Sequence, residues 1–178
     1  MHFLKRYCLN RRLRSFAEGE KKRQINVISL QEARSVCFFI TCENPQQVEE
    51  LTRYTAKNPD KKITVICYLP AKNTAENAPM LPFLHTISSK DVGWRGQIKK
   101  QTLKTIFLQQ YDIFIDMNTK TDLTSLFLAT LPKADFRIGG TQQQYRYSDF
   151  TLCADEQHTL EEYLFNLELY TSKLKGYN

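Results

Sequence analysis

The chain has 178 residues, of which 42% are hydrophobic and 12% aromatic, a composition that excludes a disordered protein and suits one globular domain. Its formal net charge is +6, and residues 1–23 alone, with eight basic and two acidic side chains, also carry +6. Residues 24–178 contain 17 charges of each sign, which argues against a broad nucleic-acid-binding face on that part of the chain.

The first 24 residues predict a basic helical arm ahead of a Rossmann-like domain at residues 25–178. Within the arm, residues 3–17 predict a helix whose apolar side chains fall on two opposite sides. One side carries Phe3, Leu4, Tyr7 and Cys8, and the other carries Leu9, Leu13 and Phe16. The cationic side chains of this helix are Lys5, Arg6, Arg11, Arg12 and Arg14.

Two roles of the arm stay open at this point. Its cationic side chains can dock on a polyanion such as RNA or anionic lipid, or its apolar side chains can pack against the domain or a second subunit. Because a helix that lies on a membrane separates its faces better, the pattern favours packing, with the basic residues on the exposed flanks. The chain contains no apolar run of membrane-spanning or signal-peptide length. We therefore expect a cytoplasmic protein, whose contact with the inner membrane is limited to peripheral docking.

Beyond the arm, short apolar segments alternate with amphipathic ones. The apolar segments predict strands at Ser35–Thr41, Ile63–Leu69, Phe83–Ile87, Asp112–Met117, Phe136–Ile138 and Phe150–Cys153. The amphipathic segments predict helices at residues 44–58, 99–109, 122–131 and 159–175. This alternation predicts an α/β fold: a three-layer αβα sandwich with a Rossmann-like, mostly parallel sheet of five or six strands. The strands at 35–41, 63–69 and 112–117 should be adjacent, parallel and central, because they are apolar almost throughout.

Polar residues follow the strand at 112–117, at the edge where open α/β sheets bind ligands. Asp116, Asn118 and Thr119 can hold a ribose or sugar hydroxyl there; alternatively, Asp116 satisfies backbone N–H groups of the turn. Gly139 and Gly140 follow the next strand and can let the backbone approach a phosphate, with Arg137 or Arg146 as the charge. The alternative for the two glycines is a simple turn after a strand.

Three further residues are candidates for ligand binding. Cys42 and Asn44 lie between the first strand and the helix that follows, where the helix dipole can lower the pKa of the thiol. A small residue at a strand end and a helix N-cap are the alternative roles of these two. Trp94, in the loop Asp91–Gly96, is either an anchor for a partner or a sugar ring, or a lid on the core.

No metal site, cofactor or catalytic residue is predicted. The three histidines are scattered, and the five cysteines include no Cys-x-x-Cys pair, so the cysteines suggest reduced, buried thiols. The sequence also contains no evident acid/base pair.

The stretch from Tyr111 to Gly140 resembles the end of the N-terminal half of ADP-heptose:lipopolysaccharide heptosyltransferases. The matching residues are Asp112, Asp116, Leu126, Leu128, Ala129, Leu131, Ala134, Arg137, Ile138 and Gly139. The resemblance implies a glycosyltransferase-like fold. These enzymes bind the nucleotide-sugar in a second Rossmann-like domain and carry a catalytic aspartate after their first strand, where this chain has Thr41-Cys42-Glu43-Asn44.

The chain as a whole is similar to a family of small uncharacterised proteins from Bacteroidetes. The shared features are the basic N-terminal helix, the Trp-Arg-Gly loop at 94–96, the Tyr-Asp-x-x-Ile strand at 111–115 and the Phe-Arg-Ile-Gly turn at 136–139. This resemblance implies a bacterial cytoplasmic protein.

Two functions remain open. The first is a non-catalytic binding or interaction module that docks through its basic helix on a protein partner, a second copy or a polyanion. The second is a single-domain relic of a glycosyltransferase that binds a sugar or nucleotide at the strand ends.

Overall fold

The computed structural model describes residues 2–20, 22–41, 45–70, 81–118, 122–141, 144, 146–152 and 159–175. The helices are α1 (His2–Glu20), α2 (Pro45–Lys57), α3 (Gln101–Leu108), α4 (Leu123–Ala129) and α5 (Leu160–Lys175). The strands are β1 (Ser35–Thr41), β2 (Lys62–Leu69), β3 (Leu84–Ser88), β4 (Gln110–Asp116), β5 (Lys133–Gly139) and β6 (Phe150–Thr151).

The six strands form one sheet in the order β3-β2-β1-β4-β5-β6, and every neighbouring pair is parallel. This is the strand order of the Rossmann fold, in which the chain builds outward from β1 in both directions. The apolar strands β2, β1 and β4 are adjacent and central, which confirms the prediction. The order of strands reverses between β1 and β4, where Phe39 is paired with Asp116.

Helices cover both faces of the sheet, so the three-layer sandwich is confirmed. In β1, Val36, Phe38 and Ile40 face a first core formed with α2 and α5. Cys37 and Phe39 point to the opposite side, into a second core formed with α1, α3 and α4. Successive side chains of a strand alternate between its two faces, and a continuous apolar sequence is therefore what a strand between two cores requires.

The N-terminal helix α1 packs in the second layer beside α4. Leu9 and Leu13 are buried in the second core, whereas Phe3, Leu4 and Tyr7 are exposed. One of the two apolar sides of the helix therefore packs against the domain, as the pattern favoured, and the other faces outward. The division of the chain at residue 24 stays a prediction.

Arg23 fixes the carboxyl end of α1 to the sheet. Its guanidinium forms ion pairs with Glu20, at 3.0 Å, and with Asp149, and donates to the backbone carbonyls of Ala134 and Asp135. These contacts join the segment after α1 to β5 and to the residues just before β6. The positive charges counted in the N-terminal region therefore differ in role: Arg23 serves the fold, whereas Arg11 and Arg14 are exposed.

Three expectations are corrected by the structure. β5 begins at Lys133 rather than Phe136, because its first residues pair with the start of β4, Gln110 with Lys133. β6 contains only Phe150 and Thr151. Cys67 is disulfide-bonded, whereas Cys8 and Cys37 are free thiols, so the prediction of reduced cysteines is wrong for Cys67. Which cysteines meet depends on contacts between separate segments, and spacing along the chain does not reveal these contacts.

Among the described residues, no helix is both long and apolar enough to cross a membrane.

Candidate functional site

A polar network links the carboxyl ends of β1, β4 and β5. Asp116 accepts hydrogen bonds from the backbone N–H and the side-chain amide of Asn118, at 3.1 and 2.7 Å. The second carboxylate oxygen of Asp116 accepts from the amide of Gln144 at 2.7 Å. Across the point where the strand order reverses, the Thr41 hydroxyl donates to Asn118 Oδ1 at 2.6 Å. Both oxygens of Asp116 are therefore engaged within the protein.

Gln144 extends the network to the loop that follows β5. Its side-chain oxygen accepts from the backbone N–H groups of Gly140 and Thr141, at 2.6 and 2.9 Å. Gln144 and Asp116 are both buried. A buried polar group is costly unless it is hydrogen-bonded, and the polar side chains of this network form hydrogen bonds with one another.

Burial raises the pKa of Asp116 to about 7, although the hydrogen bonds from Asn118 and the charge of Arg137 act in the opposite direction. The protein therefore holds a carboxyl group whose charge changes near neutral pH. A shifted carboxyl is a common property of functional sites, and it also occurs in structural networks.

The two glycines after β5 allow close packing. A Cβ atom on Gly140 would lie 2.7 Å from the backbone oxygen of Asp116, and one on Gly139 would lie 2.9 Å from Ser148 Oγ. The cavity between Asp116, Gly139 and Gln144 has a volume of about 10 Å³. This space is sufficient for about one water molecule. The space that Asp116, Gly139 and Gln144 enclose is therefore too small for a sugar ring.

Arg137 is 2% exposed and lies on the same side of the sheet as Asp116. Its guanidinium donates to the carbonyls of Ala129, Pro132 and Tyr147, and lies 4.6 Å from the ring centre of Phe114 and 5.0 Å from that of Phe16. Burial lowers its pKa to about 10, while the charges of Glu20 and Asp149 act the other way. Arg137 is therefore a cation held by carbonyls and aromatic rings, with its donors turned inward.

A second group of candidate residues lies on the outer surface of α1 and on the segment 88–108, which leads from β3 through α3. The Lys5 ammonium lies 3.5 Å from the carbonyls of Ser89 and Val92. Gly96 has a φ of +77°, and a Cβ atom there would approach Leu9 and the ring of Phe127 within 3.1 Å. The turn around Gly96 is thus pressed against α1 and α4, and α1 and the segment 88–108 form one continuous surface.

This surface, which we call the basic face, concentrates positive charge. Residues 2–20 and 88–108 together contain ten basic and three acidic residues, whereas residues 45–57 and 160–175, which form α2 and α5 on the opposite layer, contain four and five. The exposed cations of the basic face include Arg6, Arg11, Arg14, Lys90, Arg95, Lys99 and Lys104. The balanced charge count over residues 24–178 therefore hides a local excess of positive charge at residues 88–108. Counting over the whole chain averaged charges that the fold places on different layers.

Trp94 projects from the basic face. It is 44% exposed, and the Arg95 guanidinium lies 4.4 Å from the centre of its ring. The interpretation of Trp94 as a buried lid on the core is therefore wrong, because the turn at Gly96, rather than the indole, packs against the second core.

The family model of DUF6913 matches residues 5–174. The chain belongs to this family of unknown function. No curated protein and no solved structure matches the chain. The prediction of an uncharacterised family is thus confirmed, while the Bacteroidetes origin and the heptosyltransferase resemblance stay predictions.

The structure places the predicted site residues of this DUF6913 member in two separate regions. Asp116, Asn118, Gly139 and Gly140 meet in the polar network, with Arg137 beside it, and Trp94 lies on the basic face with the cations of α1. Cys42, Asn44 and Thr119 lie outside the described residues.

Sequence reasoning missed Gln144 and the lysines of the segment 88–108. The polar run at 142–147 predicts either a site for a polar ligand or a solvated loop, and nothing in its three glutamines distinguishes the buried Gln144 from its neighbours. A signal for the lysines did exist, since residues 88–108 contain five basic residues and one acidic residue.

Proposed function

We propose that this protein is a non-catalytic binding module that docks on a polyanion through its basic face. The observation that carries the proposal is the difference in charge between the two helical layers: a net +7 in residues 2–20 and 88–108 against −1 in residues 45–57 and 160–175. A surface of one sign attracts phosphate-bearing partners over about a Debye length and raises their rate of association. The proposal places the protein in the cytoplasm of a bacterium, as the resemblance to the Bacteroidetes proteins implies.

The basic residues divide into those that build the surface and those that are available to a partner. The Lys100 ammonium lies 3.3 Å from a carboxylate oxygen of Asp91, and the Arg12 guanidinium lies 5.9 Å from the ring centre of Phe127. By contrast, the side chains of Arg6, Arg11 and Arg14 form no hydrogen bond or ion pair with the part of the chain that the structure describes. The second set can neutralise phosphates without breaking an existing contact.

The basic face is also preorganised. Leu9 and Leu13 hold α1 in the second core, so the helix does not have to fold when a partner binds. Ordering of a segment on binding costs free energy that is subtracted from the affinity. A rigid helix therefore presents its cations at a lower cost than a disordered basic tail.

The polar network supports the relic of a glycosyltransferase less well. The Asp116 carboxylate is 3% exposed and already accepts three hydrogen bonds from protein amides, so little of it is accessible to a sugar hydroxyl. We therefore favour the binding module.

A charge-reversal experiment tests the proposal. Wild type, Arg11→Glu/Arg14→Glu and the control Lys62→Glu/Lys173→Glu are eluted from immobilised heparin with a salt gradient. The control residues are exposed, lie away from the basic face, and change the net charge by the same amount. We expect the first variant to elute at clearly lower salt, because each neutralised anionic group releases counterions, and the control to elute close to wild type.

Equal shifts for both variants would mean that net charge alone governs retention and would contradict a specific basic face. A wild type that passes through the column at low salt would contradict polyanion docking altogether.

A further inference from the structure

We propose that the partner of the basic face is a single-stranded nucleic acid, with one of its bases stacked on Trp94. This inference rests on the proposed docking to a polyanion and names the class of polyanion. The observation behind it is the placing of exposed aromatic rings among cations, which is how proteins bind single strands without regard to sequence.

The turn that carries Trp94 holds the indole outward. The backbone N–H of Gly93 donates to the carbonyl of Gln97, and that of Gly96 to the carbonyl of Gly93, both at 2.9 Å. The amide oxygen of Gln97 accepts from the backbone N–H of Arg95 at 3.1 Å. Outside this turn, Val92 and Ile98 form an antiparallel bridge and are both buried. The indole is therefore presented by a closed turn with a buried base.

Arg95 makes the indole a better platform for a base. Its guanidinium lies over the ring of Trp94, so a flat cation and a flat aromatic group lie against each other. The indole and the guanidinium can each stack with a nucleobase. Arg95 also places a positive charge close to the phosphate of the stacked nucleotide.

The outer side of α1 continues the same pattern. Phe3, Tyr7, Arg11 and Arg14 are exposed and recur at helical spacing, so that they form a strip on one side of the helix. Over these 12 residues the strip is roughly 17 Å long at 1.5 Å per residue. Aromatic rings come first and guanidinium groups follow, which offers stacking and phosphate contacts along one line.

An anionic membrane fits this surface less well. The side chains that a membrane-bound helix would insert, Leu9 and Leu13, are buried in the second core, and Phe16 packs beside Tyr147 and Arg137. The apolar residues left on the outside occupy only the first two turns, and cations follow them on the same side. A helix bound in the membrane interface needs a continuous apolar face, whereas a single strand needs separate rings and charges.

Trp94 is the only tryptophan in the chain, so its fluorescence reports stacking directly. A 15-nucleotide RNA of mixed sequence is titrated into the protein as a single strand and, separately, as a duplex with its complement. We expect the single strand to quench the fluorescence and to bind more tightly than the duplex, because the bases of a duplex are already stacked on one another.

The variants Trp94→Ala, Trp94→Phe and Phe165→Ala are compared by fluorescence anisotropy with a labelled single strand. Phe165 is an exposed aromatic residue of α5 on the opposite layer and serves as the matched control. We expect Trp94→Ala to weaken binding on the order of tenfold, Trp94→Phe to retain most of the affinity, and Phe165→Ala to bind as wild type does.

The failure of this inference can be distinguished from the failure of the proposed function. One set of results would overturn stacking and leave polyanion docking intact. In this case the protein is retained on heparin, but it binds single strand and duplex equally, its fluorescence is not quenched, and Trp94→Ala binds as wild type does. Binding to vesicles that contain phosphatidylserine, without binding to the RNA, would overturn the inference in favour of a membrane surface. The absence of retention on heparin would overturn both.

Discussion

Asp116 and Arg137 are ionisable side chains that the fold buries on the same side of the sheet, with 3% and 2% of their surface exposed. An isolated buried charge costs several kcal/mol, and the two residues offset that cost in different ways. Asp116 receives three hydrogen bonds from amide groups, and Arg137 gives its donors to three backbone carbonyls and lies between two aromatic rings. Both side chains tie loops to strand ends, which is a structural role.

The raised pKa of Asp116 predicts a pH dependence of stability. Its pKa is about 7 in the folded protein and about 3.9 in an unfolded chain, so the folded state binds more protons between these values. The contribution of the neutral carboxyl is complete below about pH 4 and is lost as the pH rises through 7. We expect wild type to lose at least about 1 kcal/mol of stability relative to Asp116→Asn between pH 5 and pH 8, measured by urea unfolding.

The control for this prediction is Asp60→Asn, which replaces an exposed carboxylate of the turn before β2. This variant should follow the pH dependence of wild type. If wild type instead gains stability relative to Asp116→Asn as the pH rises, the hydrogen bonds to the carboxylate outweigh the cost of its burial.

At the scale of elements, α1 serves two surfaces at once. Leu9 and Leu13 point into the second core, and Phe3, Tyr7 and the arginines point outward. The amphipathic pattern of α1 is weak because the helix has two apolar sides. One of these sides is buried in the second core, and the other belongs to the basic face. Arg23 and Glu20 then fix the end of the helix near β5.

Truncation of one side chain on each side of α1 should separate these roles. Leu13→Ala should lower the free energy of unfolding by about 2–5 kcal/mol, because it leaves a cavity in the core. Tyr7→Ala, which removes an exposed ring, should change it by less than about 0.5 kcal/mol. Urea unfolding followed by circular dichroism measures both values, and equal effects of the two substitutions would argue that α1 is not docked on the domain.

At the scale of the whole molecule, the sheet is most strongly supported in its centre. β1 is paired with β2 along its whole length and with β4 from Val36 to Phe39, whereas β6 is paired with β5 at two positions only. The two layers of helices enclose the central strands, whereas the short strand β6 lies at the edge of the sheet.

This architecture predicts an order of hydrogen exchange. The amides of Cys37, Phe38 and Phe39 in β1 should exchange only through global unfolding, and those of β6 should exchange at least about tenfold faster through local opening. Hydrogen–deuterium exchange followed by mass spectrometry can compare the two segments in native buffer. The five-residue edge strand β3 provides an intermediate reference, and similar protection of β1 and β6 would contradict the prediction.

Much of the local structure could be predicted. The strand Ser35–Thr41 has the predicted bounds. The spacing of Thr159 and Glu162 predicts a capping box at the start of α5, and each of the two side chains accepts from the other's backbone N–H group, at 3.2 and 2.9 Å. By contrast, the capping box of α4, formed by Asp122 and Ser125, escaped prediction because it lacks the usual glutamate or glutamine.

The amino-acid sequence by itself determined the elements, their alternation and the parallel sheet, because apolar runs, proline and capping residues act over a few neighbouring positions. Only the tertiary structure decided that Gln144 meets Asp116, 28 residues away, and that the lysines of the segment 88–108 join the arginines of α1. These partners are far apart in the chain and meet only when the strands align and the helices pack. Local periodicity in the sequence therefore does not reveal the residue pairs of the polar network and the basic face. These pairs form only when the chain folds.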